Sequence, residues 1–277
     1  RQVSTNKELA NIIANLRSEG HSIGFVPTMG ALHQGHISLI ERARKESDFV
    51  VCSIFVNPTQ FNDASDLEKY PRTLDSDIKL LKDANCDLVY TPNVDEVYQN
   101  ASDFDFDFAG LDLPMEGANR PGHFTGVVQV VKRLFELVNP DKAFFGLKDF
   151  QQYAIIKQLV RYFELPIEIV GCPIIREETG LAMSSRNVRI RPEKMEAALS
   201  LSRALKLIQL EWSKGSVSDA IESAKAVLHP DVQLEYLEVA EPTYLKTLSD
   251  WDVNDSARAF IAASVGDVRL IDNMEIY

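Results

Sequence analysis

The feature that most constrains this chain is an alternation. Short apolar β-forming runs recur at SIGFV, DFVVCSIFV, CDLVYT, KAFFG and IEIVG, near residues 23, 50, 88, 143 and 168, with helix-length amphipathic segments between them. Among those segments, HISLIERARKES puts Ile37, Ile40 and Ala43 on one side and Glu41, Arg42 and Lys45 on the other. LDSDIKLLKDA, TGVVQVVKRLFELV and QQYAIIKQLVRYF follow the same period. An opening helix over residues 5 to 18 carries Leu9, Ile12, Ile13 and Leu16, with Ser4 or Thr5 as its cap. Strands that alternate with helices imply a parallel, doubly wound sheet. The near-continuous apolar character of most runs fits strands covered on both faces. A chain of 277 residues, 45% of them hydrophobic, is long enough for one large domain or two modest ones.

Past residue 176 the texture changes. Two charged amphipathic helices, RPEKMEAALSLSRALKLIQLEW and VSDAIESAKAVL, precede VQLEYLEVA, ARAFIAASV and VRLIDNMEI, three strand-like runs with no crossover helix between them. The expected organisation is a Rossmann-like α/β domain over 1–176 and a smaller C-terminal α+β domain over 177–277. The acidic-aromatic patch SDFDFDFAG reads as an alternating edge strand or a loop.

The net charge of −12 argues against a nucleic-acid surface. The three cysteines, Cys52, Cys86 and Cys172, lie far apart without metal spacing and fit reduced, buried thiols. No signal peptide is visible, and no apolar run approaches the ~20 residues that span a bilayer. The expectation is a soluble, cytoplasmic protein.

Polar groups gather at strand ends. PTMGALHQGH, after the first run, sets His33 and His36 three apart at a strand–turn–helix junction, where open α/β sheets bind ligands. Helix N-termini attract anions, and two imidazoles on one face add directional donors. Gly35 lets a phosphate approach the backbone. A pair of surface histidines is the plain alternative; a metal pair lacks neighbouring ligands to complete it. GLKDFQQ holds the equivalent position one βα unit later, with Gly146 at the turn and Lys148 at a helix end where a cation is disfavoured unless it has a task. GLAMSSRN offers Ser184, Ser185 and Arg186 to phosphate oxygens. Asn57 and Gln60 follow another strand end, and neutral amides suit a small polar ligand. Tyr70, Arg72, Glu116, Arg120 and His123 read structurally, as Pro-bounded turns with a helix cap at Thr125.

The strand–PTMGALHQGH–helix unit, with MSSRN about 150 residues downstream, resembles the nucleotidylyltransferase superfamily. PTMGALHQGH, VNPTQF, YPRT, RPGHFTGV, FFGLKDFQQ and GLAMSSRN, in that order over the whole chain, resemble the pantoate–β-alanine ligase family. The resemblance implies ATP- and Mg²⁺-dependent joining of (R)-pantoate to β-alanine, giving pantothenate, AMP and pyrophosphate through pantoyl adenylate. It implies that His33 and His36, with the backbone of Met29, Gly30, Ala31, Leu32, Gln34 and Gly35, hold the triphosphate, His36 being the family's acid. Lys148, Ser184, Ser185 and Arg186 would stabilise phosphate charge, and Gly146, Leu147, Asp149, Ile175 and Met183 would line the nucleotide site. Gln60 and Gln152 would hold pantoate, with Met29, Asn57 and Tyr70 beside it, and Gln60 would also meet β-alanine. The first domain then binds nucleotide and pantoate, the second acts as a lid, and the enzyme is a homodimer that needs neither nucleic acid nor membrane. Two rivals are a nucleotidyltransferase acting on another small acid and a non-catalytic ATP-sensing module. Gln60 and Gln152, without an aromatic cage, disfavour a dinucleotide-type product.

Overall fold

All six strands of the larger sheet run parallel, in the order β1-β4-β3-β2-β5-β6. They are β1 (Gln2–Val3), β2 (Ile23–Thr28), β3 (Phe49–Ile54), β4 (Leu88–Tyr90), β5 (Lys142–Gly146) and β6 (Glu168–Cys172) in a computed structural model. It describes residues 1–61, 64–99, 101–212, 214–251 and 256–276. The strand order reverses between neighbouring β2 and β5, where Gly24 pairs with Lys142 and Phe25 with Ala143. The five expected runs all form strands; the two-residue β1 has too little sequence to announce itself.

The connections are α1 (Asn6–Ser18), α2 (Gln34–Glu46), α3 (Ala64–Lys69), α4 (Leu74–Asp83), α5 (Val94–Tyr98), α6 (Glu116–Asn119), α7 (His123–Val138) and α8 (Phe150–Tyr162). α1 begins as its sequence requires: Thr5 Oγ1 accepts from the Glu8 amide, and Glu8 returns an acceptor to the Thr5 amide at 3.2 Å. α7 corrects an expectation, because it starts at His123 behind Gly122 in the left-handed region (φ 82°), two residues before Thr125. Glycine reaches that conformation without steric cost, which lets the helix begin directly from the Pro121–Gly122 turn. Ile40, Ala43, Val50, Cys52, Leu81 and Phe144 form the fully buried centre of a core on one side of the sheet. SDFDFDFAG is loop, and its Phe106 packs edge-on against Phe108 and Tyr162.

Contacts along the chain define two compact units, Arg1–Leu147 with Ile155–Pro173, and Lys148–Ala154 with Ile174–Tyr277. The second holds α9 (Met195–Glu211), α10 (Val217–Ala226) and an antiparallel sheet of β7 (Val232–Ala240), β8 (Arg258–Val265) and β9 (Val268–Glu275). Its own core joins Leu201, Leu205 and Ile208 of α9 to Val239, Ile261 and Val268 of the sheet. The β8 run is buried almost throughout because it is the central strand, covered by neighbours on both edges.

Candidate active site

The reversal between β2 and β5 puts the loops after both strands at the carboxyl edge of the sheet, the position at which doubly wound folds bind ligands. Met29 to His33 follow β2, and Gly146 and Leu147 follow β5.

After Thr28 the backbone turns through two consecutive left-handed residues, Gly30 (φ 81°) and Ala31 (φ 50°), before α2 starts. His33 is the N-cap. Its Nδ1 accepts the Gly35 amide at 3.1 Å, while Nδ1 of His36, three positions into the helix, accepts the His33 amide at 3.3 Å. This reciprocal pattern is a capping box made of imidazoles. Both rings accept at Nδ1, so each neutral ring carries its proton on Nε2. Two Nε2–H donors therefore come from one helix start, with ring centroids 4.1 Å apart. The positive end of the helix dipole makes the same place attractive to an anion. Gln34 is exposed, so the residue between the histidines faces solvent.

Gln60 lies in the single-turn 3-10 segment Pro58–Gln60. Its Nε2 contacts Met29 Sδ at 2.6 Å, which brings together two residues expected at pantoate. Asn57, 1% exposed, holds this turn with both ends of its amide. Oδ1 accepts from the Thr59 hydroxyl (3.1 Å) and from Tyr98 Oη (2.8 Å); Nδ2 donates to Gly126 O (3.2 Å). Burial pushes the Tyr98 phenol pKa up, which keeps it a donor. From the other side His123 Nδ1 donates to Gln60 O at 2.8 Å, leaving Nε2 to accept from Arg120 at 3.2 Å. Arg120 also reaches Glu116, at 3.4 Å. The cluster in RPGHFTGV, read from sequence as structural, thus buttresses Gln60. Tyr70 is buried, edge-on to Phe61 at 5.7 Å.

The second unit carries the remaining candidates. Lys148 and Asp149 sit in the 3-10 turn Leu147–Asp149, ahead of α8. Lys148 O accepts from Asn273 Nδ2 at 2.8 Å, and Arg258 Nη1 donates to Asn273 Oδ1 at 2.7 Å while its guanidinium stacks 4.3 Å from the Phe150 ring. Gln151 is buried and Gln152 partly exposed, so the two adjacent amides have different surroundings. Ile175 and Met183 face each other across a narrow hairpin, where the Met183 amide donates to Ile175 O at 3.0 Å. Arg176, beside them, is bidentate to Asp272 at 2.7 and 2.9 Å. The hairpin is closed at Glu177–Gly180, where the Gly180 amide donates to Glu177 O at 2.8 Å, and Ser184 begins the turn that follows it: its carbonyl accepts from the Asn187 amide (3.0 Å), and its hydroxyl from the Arg186 amide (3.2 Å). Ser185 and Arg186 lie inside that turn and are partly exposed. β9 thus anchors, through adjacent Asp272 and Asn273, both the Ile175–Met183 hairpin and the Lys148 turn.

Sequence reasoning passed over three residues that organise these elements: Asp77, Asp272 and Asn273. All are buried polar side chains. Asp77 had a signal, since it shares a helix face with buried Leu81 four residues on, where an apolar residue is the rule.

A family model described as "Pantoate-beta-alanine ligase" matches residues 1–275. Pantothenate synthetase of Phocaeicola vulgatus is 49% identical over 281 residues, covering 99% of this chain and 98% of that protein. The crystal structure of pantothenate synthetase from Thermus thermophilus superposes with a TM-score of 0.93 at 45% identity, covering 100% of this chain and 99% of the other. Pantoate-beta-alanine ligase from Francisella tularensis, crystallised with beta-gamma ATP and beta-alanine, gives a TM-score of 0.82 at 34% identity over 99% of this chain and 97% of that one. With the six motifs in order, the matching fold and relatives that span nearly all of its length, this chain belongs to the pantoate–β-alanine ligase family.

Proposed function

We propose that this ligase joins pantoate to β-alanine through an enzyme-bound pantoyl adenylate. A carboxylate oxygen of pantoate attacks the α-phosphorus of ATP and pyrophosphate leaves. The β-alanine amine then attacks the acyl carbon, forming the amide and expelling AMP. The observation that carries this reading is the imidazole capping box, which engages Nδ1 of both histidines and so puts their ring protons on Nε2 at the start of α2, the helix that follows the switch-point strand β2. Donors fixed before the reaction suit phosphoryl transfer, in which positioning and charge stabilisation do most of the work. In this reading His33 and His36, with the backbone of Met29–Gly35, hold the departing phosphates, and His36 acts as acid. Lys148, Ser184, Ser185 and Arg186 stabilise charge on them, while Gly146, Leu147, Asp149, Ile175 and Met183 line the nucleotide site. Gln60, Met29 and Gln152 receive pantoate. Asn57 and Tyr70 stand beside pantoate in this reading, Asn57 also holding the Gln60 turn with both ends of its amide. The Francisella relative, crystallised with beta-gamma ATP and beta-alanine, supports ATP and β-alanine as substrates.

Among the described residues no group of three or more His, Cys, Asp or Glu side chains could hold a metal ion. Mg²⁺ ordinarily keeps several waters and binds through substrate phosphates with one or two carboxylates. The proposed Mg²⁺ therefore enters with ATP, and no step here is routed through it. No helix of the described residues is long and apolar enough to cross a membrane. Three unpaired, buried cysteines support a reducing, cytoplasmic setting, and a homodimer is carried from the family resemblance.

Isotope transfer tests the route. Pantoate labelled with ¹⁸O in its carboxylate should yield labelled AMP and unlabelled pyrophosphate, because the attacking oxygen stays on phosphorus when the amine displaces AMP. Release of ADP, with label in orthophosphate, would exclude the adenylate.

A further inference from the structure

The loop that presents His33 and His36 is itself gripped by a carboxylate. Asp77 of α4 is 1% exposed. Its Oδ2 accepts the Ala31 amide and its Oδ1 the Leu32 amide, both at 2.9 Å, and Oδ1 also accepts from the Thr73 hydroxyl at 3.1 Å. The two amides converge because Gly30 and Ala31 both hold left-handed conformations, which turn successive N–H groups inward into an anion-binding concavity. Gly30 is required twice over. Its φ of 81° disfavours any side chain, and a Cβ there would lie 3.0 Å from Asp77 Oδ2 and 3.1 Å from a methyl of Ile54. A carboxylate, which only accepts, fits two amides and a hydroxyl without conflict.

We propose that Asp77 is a positioning residue for adenylation: it locks the Gly30–Leu32 turn and thereby sets where the two Nε2–H donors of His33 and His36 point. This deepens the proposed function and rests on the assignment of those histidines to the triphosphate. Asp77 does not touch substrate in this account. It supplies the fixed backbone from which α2 begins, in a site where a 1 Å displacement can cost about 10²-fold.

The test uses the full chain and pyrophosphate release from ATP and pantoate. In Asp77→Asn the amide nitrogen replaces one acceptor with a donor aimed at a backbone N–H, so the turn is released on one side. Adenylation kcat should fall by about 10- to 100-fold, while pantoate affinity, measured by calorimetry, stays within about twofold. Thr73→Val, which removes only the hydroxyl, should give a smaller loss in the same direction and covers the case in which Asp77→Asn folds poorly. The deciding readout is coupling with His36. In a His36→Ala background Asp77→Asn should cost clearly less activity than in the intact site, because one of the two histidines through which the carboxylate acts is already gone; a merely structural role would add its full loss in either background. Additive losses, or normal adenylation by Asp77→Asn beside a crippled His36→Ala, would overturn the positioning role alone. Normal adenylation by both variants would instead bring down the triphosphate assignment on which it rests.

Discussion

At the scale of the residue, the two nitrogens of each imidazole have separate tasks, and that separation can be measured. Asparagine places its oxygen near where Nδ1 sits, whereas glutamine reaches about as far as Nε2. His36→Asn should therefore keep the bond from the His33 amide and with it the thermal stability. It loses the donor aimed at phosphate, with kcat falling about 10²–10³-fold as for other preorganised donors. His36→Gln should retain more activity but lose the cap, at a cost of about 1 kcal/mol in stability. Parallel melting curves and single-turnover pyrophosphate release check both; the opposite ranking would mean that the ring nitrogens have been assigned the wrong way round. The His-x-x-His spacing and its strand-end position were legible from sequence, because period and turn chemistry are local. The reciprocal caps were not, since nothing in the spacing distinguishes imidazoles that bond backbone from imidazoles that face solvent.

At the scale of the element, α7 and the Gln60 turn meet backbone to backbone. A Cβ on Gly126 would stand 2.5 Å from Thr59 O, 2.7 Å from Thr59 C and 3.0 Å from Gln60 Cα. Peptide groups cannot rotate aside as a side chain can, so one element must retreat. Gly126→Ala should destabilise the chain by about 1–3 kcal/mol and displace Gln60, raising the KM for pantoate several-fold while leaving ATP affinity nearly unchanged. Equal losses for both ligands would dissociate this contact from the pantoate site. Helix α7 was visible as an amphipathic run, yet its cap was misplaced by three residues because Thr125 is a good cap in general and Gly122 is the one the backbone uses. The edge strand β1 was likewise missed, since two residues paired to β4 carry no period to detect. What sequence could not supply at this scale is contact between distant elements: α4 to the loop after β2, β9 to the Lys148 turn, and α7 to the Gln60 turn. Each rests on a buried polar side chain or a missing Cβ whose partner lies tens of residues away.

At the scale of the whole molecule, the thiols predict how stability responds to alkali. Cys52, Cys86 and Cys172 are all buried in the core of the first unit. Burial, the largest cause in each case, pushes Cys86 up to about 12 and Cys172 to about 11, and raises Cys52 well above its ordinary value. Tyr90 is pushed to about 12 by burial and by the nearby Glu96 carboxylate. In the unfolded chain the thiols ionise near their ordinary pKa of about 8.5 and the phenol near 10. A folded pKa raised above the unfolded one means that the native state keeps protons the unfolded state has released. Stability from these groups is therefore intact below about pH 8 and drains away as pH climbs toward 12, at up to about 1.4 kcal/mol per pH unit for each thiol. Urea midpoints should be flat from pH 7 to 8 with respect to these groups and fall steeply between pH 9 and 11. Cys52→Ala should shallow that fall even though it lowers stability at pH 7 by opening a small void. The same burial should shield all three thiols from a maleimide at pH 7.5, with labelling appearing only in the urea range where the first unit opens. They belong to one core cluster, so they should become reactive together. Labelling of Cys172 at urea concentrations that leave Cys52 and Cys86 untouched would show that the β5–β6 edge of the sheet opens on its own, and that the first unit does not unfold as one.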